Sequence, residues 1–137
     1  MQTALSELIT STSTQEVSER GSVKVFKFPD VQFKNSSGTI VNGFKDVTAV
    51  LLLTTSCTLR LTGTSFSNGF KTNPGNYITL KLGAFDSSSV ELQTFEFMLF
   101  IPCNELPLEV NAAFDPGWFD NAVTMRIPPA HQLHTTC

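Results

Sequence analysis

Charge is scarce in this sequence, and its basic residues do not cluster. Asp, Glu, Lys and Arg make up 15% of the 137 residues, and the formal net charge is −3. An average soluble domain carries about a quarter charged residues. The chain contains no run of Lys or Arg. Because affinity for a nucleic-acid backbone comes largely from neutralised phosphates, we expect no nucleic-acid partner.

The chain also lacks a closed set of cysteines and a long apolar segment. Three cysteines, Cys57, Cys103 and Cys137, are an odd number, which leaves either one bridge and a free thiol or three free thiols. The apolar run at residues 47–53 is far shorter than a membrane-spanning helix. Residues 1–20 lack the basic start and apolar run of a signal peptide. We therefore expect no membrane partner.

Motifs for catalysis or cofactor binding are missing too. The sequence has no Gly-x-Ser-x-Gly elbow, no Gly-x-Gly-x-x-Gly and no phosphate-binding Lys loop. Its two histidines, His131 and His134, lie within the last seven residues. An active site built from Asp115, Asp120 and His131 would require all three to converge on one cleft. The sequence thus predicts a non-enzymatic protein without a cofactor.

Strand patterns dominate what is present. Twelve Phe stand against one Trp and one Tyr, and Phe needs no hydrogen-bond partner when it is buried. From residue 23 onward apolar residues alternate with polar ones, and turn sequences separate the segments. Eight strands are predicted at residues 23–28, 31–34, 47–53, 57–62, 77–82, 90–101, 106–110 and 122–127. Turns are predicted at Asn42-Gly43, Asn68-Gly69, Asn73-Pro74-Gly75-Asn76, Asp86-Ser87-Ser88-Ser89 and Asp115-Pro116-Gly117. The pattern predicts an all-β protein, an antiparallel β-sandwich with jelly-roll-like character.

Two segments carry specific expectations within this plan. The continuous apolar run at residues 47–53 predicts a strand buried on both faces. Residues 1–22 differ from the rest and predict an N-terminal arm on a single domain of residues 23–137. In that arm the helical spacing of Ala4, Leu5, Leu8 and Ile9 predicts a short helix, and the polar residues 10–14 favour an extended segment.

One loop concentrates aromatic and acidic residues. The segment Phe114-Asp115-Pro116-Gly117-Trp118-Phe119-Asp120 holds three aromatics and two acids. One interpretation is a contact surface at Trp118 and Phe119, since Trp is favoured at binding hot spots. Paired carboxylates for glycoside chemistry are a second interpretation. The third, which we favour, is a tight turn whose aromatics cover the end of the core.

The C-terminus carries residues with metal-binding chemistry. His131, His134 and Cys137 lie at three-residue steps and are suitable ligands for zinc. Pro128-Pro129 precede them and favour an extended tail, on which this spacing does not align side chains. The set also has no fourth ligand. We therefore interpret these as ordinary tail residues and expect no metal.

Taken together, three features resemble the small β-sandwich or jelly-roll proteins of virus particles, particularly the head decoration (cement) proteins of tailed phages. These features are a short polar N-terminal arm at residues 11–18, Thr/Ser-rich alternating strands such as residues 57–62, and a Phe-rich core. The resemblance implies a virion protein that forms homo-oligomers, often trimers, on a shell and holds capsid proteins together. No binding residue of that family can be carried over, and from the residues themselves we expect partner contacts at Leu5, Leu8 and Ile9 in the arm and at Trp118 and Phe119. An RNA-packaging coat is disfavoured, because residues 1–22 contain one basic residue, Arg20, against Glu7, Glu16 and Glu19.

A binding module is the alternative to this structural role. A receptor-binding or carbohydrate-binding domain needs an exposed aromatic with amide and carboxylate neighbours. Trp118 with Asn111, Asp115, Asp120 and Asn121 is the candidate for such a site. Glycan binding that Trp118→Ala abolishes would favour the binding module, and unchanged particle binding by that variant would favour the structural role.

Overall fold

The computed structural model describes the backbone of residues 3–8, 11–12, 14–17, 22–35, 40–55, 57–67, 75–102, 105–127 and 131–135. Its side chains are described within residues 22–32, 43–55, 57–66, 79–99 and 105–127. Across these ranges the chain forms twelve strands and one 3-10 helix, Pro116–Asn121. The strands are β1 (Thr3–Leu8), β2 (Ser11–Thr12), β3 (Thr14–Val17), β4 (Val23–Lys27), β5 (Val31–Asn35), β6 (Ile40–Leu52), β7 (Thr58–Ser67), β8 (Gly75–Phe85), β9 (Glu91–Pro102), β10 (Pro107–Ala113), β11 (Thr124–Ile127) and β12 (His131–Thr135).

Two antiparallel sheets pack against each other, which confirms the predicted antiparallel β-sandwich. The first sheet has the order β10-β7-β6-β4-β3, and the second has the order β9-β8-β11-β2. Strands β5, β1 and β12 connect the two sheets into one continuous hydrogen-bonded network. All pairs are antiparallel, and hairpin neighbours such as β6–β7 and β8–β9 make the most extensive ladders.

Phe and Leu side chains from both sheets form the core between them. Seven of the twelve Phe are buried there, namely Phe26, Phe28, Phe44, Phe95, Phe97, Phe114 and Phe119. Leu59 and Leu61 on β7 and Leu80 and Leu82 on β8 belong to this core, and all four are at most 1% exposed. The abundance of Phe therefore serves packing, as its lack of a polar group predicts.

All eight predicted strands are found, several of them longer than the sequence indicated. One predicted turn is wrong, because Asn42 and Gly43 lie inside β6. Gly43 is needed for a different reason: a Cβ there would lie 2.1 Å from the carbonyl oxygen of Val31 on the neighbouring strand. The irregularity in β6 comes later, at a register shift between Lys45 and Thr48 where Asp46 has a φ of 56°. The predicted turn at residues 86–89 is confirmed, while residues 68–74 lie outside the described residues.

The predicted helix at the N-terminus is also wrong. Thr3–Leu8 form a strand, β1, which pairs with β12 on one edge and with β5 on the other. Six residues are too few for a stable isolated helix, so pairing with two strands decides the conformation. The following segments, β2 and β3, are extended and pair with β11 and β4. The division of the chain at residue 22 stays a prediction.

The apolar run at residues 47–53 is buried on one face of its sheet only. Val47, Ala49 and Leu51 are at most 2% exposed and face the core. Val50 is partly exposed and Leu52 is 37% exposed on the opposite face. The expectation of burial on both faces is therefore wrong, because no described part of the chain covers the outside of the first sheet at β6. That outer surface is the first of two regions to consider as a functional site.

Candidate functional site

The aromatic loop folds into the 3-10 helix Pro116–Asn121, which we call the aromatic helix. Asp115 is its N-cap, and the Oδ1 atom of Asp115 accepts a hydrogen bond from the backbone N–H of Gly117 at 2.9 Å. Pro116 stands at the first helical position, where its missing N–H has no cost. The Asp-Pro-Gly sequence therefore starts the helix in the way its residue types predict.

This helix turns its aromatic side chains into the core. Trp118 is 8% exposed and Phe119 is 1% exposed. The Trp118 ring packs against Phe114 with ring centroids 5.3 Å apart, and its Nε1–H donates to Oε1 of Gln93 at 3.1 Å. Burial and a satisfied indole N–H match the interpretation of aromatics that cover the end of the core. As a correction to the sequence-based assignment, neither ring is presented as a contact surface in the folded chain.

Lys24 fixes the other side of the same helix. Its side chain lies on the inward face of β4, and the residue is 7% exposed. The Nζ atom donates to the carbonyl oxygens of Phe119 at 2.6 Å and Ala122 at 2.9 Å. Burial lowers the pKa of Lys24, and the nearby carboxylate of Asp120 opposes that shift. These bonds satisfy two carbonyls at the helix C-terminus, so the lysine has a structural use here.

Sequence reasoning missed this role of Lys24, although a signal existed. Lys24 and Lys27 are three positions apart on one strand, an odd offset that places them on opposite faces of the sheet. One of the two therefore had to face the core and needed polar partners there. The buried member is Lys24, and Lys27 is exposed.

The outside of the first sheet carries a cavity of about 340 Å³ with an apolar floor. The floor is Val50 and Leu52 on β6, and Val23 and Val25 continue it as their register partners on β4. We call this surface the outer patch. Its seven residues are Val23, Val25, Val50, Leu52, Thr58, Arg60 and Asn111.

The strand registers arrange this surface in rows that cross the sheet. The first row is Val23, Leu52, Thr58 and Ala113, and the second is Val25, Val50, Arg60 and Asn111. A third row is Lys27, Thr48, Thr62 and Glu109. The apolar residues therefore lie toward β4 and β6, and the polar ones lie toward β7 and β10.

Charge is placed at the margins of the outer patch. Arg60 forms an exposed ion pair with Glu109, with 3.5 Å between Nε and Oε2. Lys27 is exposed in the same row as Glu109, three strands away. The surface thus has an apolar side on β4 and β6, a polar side on β7 and β10, and charges of both signs in its third row. This is the composition of a protein contact surface rather than of a pocket for a small polar molecule.

Other residues singled out from the sequence are placed as follows. Leu5 and Leu8 lie on β1, in register with Leu133 and Phe33, while Ile9 lies outside the described residues. Their part in partner binding stays a prediction. Asp115 and Asp120 are both exposed, on the 3-10 helix and its cap.

The C-terminal candidates are split between described and undescribed parts of the chain. His131 and His134 lie on β12, opposite Glu7 and Ala4 of β1, and Cys137 falls outside the described residues. Among the residues that the structure describes, no group of three or more His, Cys, Asp and Glu is arranged to hold a metal ion. The assignment of His131, His134 and Cys137 as ordinary tail residues stays a prediction.

Cys57 is a free thiol, and its Sγ donates to the carbonyl oxygen of Thr54 at 3.2 Å. Within the described ranges, no helix has the length and apolar character to cross a membrane.

Comparison with known proteins gives no relative from which a function can be transferred. The chain matches no protein-family profile, no curated protein and no solved structure.

Proposed function

We propose that this protein is a non-enzymatic structural subunit of a virus particle, a capsid decoration or minor structural protein that stabilises a shell. The observation that carries the proposal is the outer patch, an apolar surface with a concave centre on the outside of a sheet. Contiguous exposed apolar surface rimmed by polar groups marks interaction sites on soluble proteins. The resemblance of the sequence to phage decoration proteins supplies the kind of partner.

The chemistry of the outer patch suits a passive role. Val50, Val25 and Leu52 offer burial of apolar surface, which is favourable by about 25 cal/mol for each Å² removed from water. Arg60 and Asn111 provide donors that fix the orientation of a docked protein. Repetition of one modest contact around a symmetric shell multiplies its effect, since each further contact is intramolecular.

The experiment compares the protein on purified particles with two matched variants. Particles are isolated from the source of the sequence, and quantitative mass spectrometry measures the ratio of this chain to the major shell protein. The chain is then stripped and added back as wild type, as Val50→Glu in the outer patch or as Met98→Glu on the other sheet. Met98 is 80% exposed on the outside of the second sheet, so the control makes the same chemical change elsewhere.

We expect a fixed stoichiometric ratio, and rebinding by wild type and Met98→Glu with similar affinity. Val50→Glu should rebind about tenfold or more weakly, because one desolvated charge outweighs the contact it replaces. Absence of the chain from purified particles would overturn the proposal. A glycan array that binds wild type and not Val50→Glu would instead favour the carbohydrate-binding alternative.

A further inference from the structure

We infer that the outer patch binds a second copy of this chain, in a face-to-face contact with a twofold axis parallel to the strands between β6 and β7. This inference names a partner for the surface used above, so it rests on the proposed role of the outer patch in assembly. It goes further in fixing which residues meet.

The rows of the first sheet make this surface complementary to itself. A twofold axis between β6 and β7 places β6 over β7 of the second copy, and β4 over β10. In the third row, Lys27 of each copy then faces Glu109 of the other copy, at two symmetric positions. An isologous interface requires such a patch, in which each residue and its counterpart are both present on one surface.

The first two rows lay the β4–β6 side of one copy over the β7–β10 side of the other. Val23 faces Ala113 and Leu52 faces Thr58 in the first row, and Val25 faces Asn111 and Val50 faces Arg60 in the second row. The Arg60 stem is apolar along its length, so a valine can pack on it while the guanidinium stays at the edge. The β4 valines of each copy also lie over the β7–β10 side of the 340 Å³ cavity of the other.

Other axes through the same surface lose this match. An axis perpendicular to the strands and through the second row would place β4 over β4 with the rows exchanged. Lys27 would then face Val23 and Glu109 would face Ala113, so neither charge would meet its opposite. An axis in the third row would place Lys27 over Lys27 and Glu109 over Glu109, and like charges that face each other in an interface are unfavourable.

The size of the surface sets the strength of the contact. Strands lie about 4.8 Å apart and alternate residues about 6.8 Å apart, so four strands and three rows cover about 400 Å² per copy. Two copies therefore bury about 800 Å², below the roughly 1,200 Å² of a standard stable complex. We accordingly expect a weak dimer in solution that becomes effective when neighbouring contacts hold the copies near each other.

Charge reversal of the full-length protein tests this contact. Sedimentation velocity measures self-association from about 10 µM to about 1 mM, the range of a weak interface. The variants are Lys27→Glu, Glu109→Lys and the double variant that carries both. Glu96→Lys is the control, because Glu96 pairs with Lys81 on the outside of the second sheet, with 3.9 Å between Nζ and Oε2. Thermal unfolding verifies that each variant folds.

We expect a concentration-dependent dimer for wild type and for Glu96→Lys. Each single reversal should weaken the dimer about tenfold, since it creates two like-charge contacts per dimer. The double variant should recover to within about threefold of wild type, because it restores both opposite-charge contacts with their positions exchanged.

Several outcomes would overturn the inference. A chain that stays monomeric to about 1 mM would do so, as would a trimer, or a double variant no better than the single ones. These results are separable from the fate of the proposed function. A monomeric chain that still rebinds particles would support the structural role and contradict the dimer. A chain that dimerises but is absent from particles would support the dimer contact and contradict the structural role.

Discussion

The aromatic helix and the outer patch have the opposite solvent exposure from the one that their sequences suggest. The segment around Trp118 has the composition of a binding site, yet its rings are buried and its polar groups bond within the chain. The run at residues 47–53 has the composition of a core strand, yet Val50 and Leu52 lie on the outer surface. Aromatic content thus distinguishes the aromatic helix, whereas exposed apolar side chains distinguish the outer patch.

This contrast shows what separates a packing element from a contact surface. At the aromatic helix three polar contacts are made within the chain: Asp115 caps Gly117, Gln93 accepts from Trp118, and Lys24 donates to Phe119. In the outer patch apolar side chains remain in water, which has a cost unless a partner removes them. Variants that act on folding should therefore differ from variants that act on association.

Trp118→Ala is expected to give the largest loss of stability. Truncation of a buried aromatic typically costs about 3–5 kcal/mol of unfolding free energy, and here it also removes the partner of Gln93. Urea unfolding of the two proteins measures the loss. If Trp118 serves packing alone, folded Trp118→Ala should self-associate and bind particles like wild type. Intact stability with lost particle binding would instead return Trp118 to the contact surface.

Lys24→Met comes next in expected size. Methionine keeps the apolar stem but leaves the carbonyls of Phe119 and Ala122 without the lysine donor. Bonds to a charged group are worth about 1.5–3 kcal/mol each at most, and a loss of about 1–3 kcal/mol is expected overall. The matched control is Lys27→Met on the same strand, which should change stability by less than about 0.5 kcal/mol because Lys27 is exposed. Equal losses in the two variants would contradict the structural role of Lys24.

Gln93 also holds the aromatic helix in place, and its substitution should reduce the unfolding free energy by less than that of Lys24. Its Oε1 accepts from Nε1 of Trp118 at 3.1 Å and from the backbone N–H of Asp115 at 3.2 Å. Gln93→Met removes the acceptor of both bonds at similar side-chain length, and we expect a loss of about 1–2 kcal/mol in urea unfolding. Gln93→Glu keeps an acceptor and should lose less. A Gln93→Met protein as stable as wild type would show that packing alone holds the helix.

The pH dependence of stability gives a further test of the buried lysine. Because burial lowers the pKa of Lys24 in the folded state, the unfolded chain binds more protons between that pKa and 10.5. The Lys24 contribution therefore makes stability rise with pH in this alkaline window. Lys45 acts in the opposite direction, since its hydrogen bond to Glu105 raises its pKa and its contribution fades as pH rises through the folded value. The difference between wild type and Lys24→Met isolates the first effect, and a difference that falls with pH would contradict it.

The sequence was sufficient to predict the positions of the strands from residue 23 onward, but not which of their faces are covered. Alternation places side chains on two faces of a strand, and the eight predicted strands follow from it. Which face is covered depends on distant parts of the chain, so the exposure of Val50 was not readable from residues 47–53. The prediction of a helix at Thr3–Leu8 was wrong for the same reason, since two strands that are remote in sequence, β5 and β12, fix the conformation of this segment.

The candidate sites differ in how far the sequence alone could predict them. Asp115-Pro116-Gly117 was predicted as a tight turn and begins a 3-10 helix instead, whereas the burial of Trp118 follows the interpretation that we favoured. The outer patch, by contrast, assembles Val25, Arg60 and Asn111 from three strands that lie far apart in the sequence. No local pattern brings these three together, so only the strand register reveals the surface.

Val50→Glu is expected to change stability least, and it completes the contrast with Trp118→Ala. Val50 faces outward, and its register partner on β7 is Arg60, so a carboxylate there gains an oppositely charged neighbour. Val50 is partly exposed, and surface substitutions of this kind usually change the unfolding free energy by less than about 0.5 kcal/mol. The same carboxylate would be desolvated when a partner covers the outer patch, so self-association should weaken while urea unfolding stays unchanged. Unchanged folding and unchanged association together would mean that the outer patch is an ordinary solvent-facing surface, and a large loss of stability would mean that Val50 belongs to the core after all.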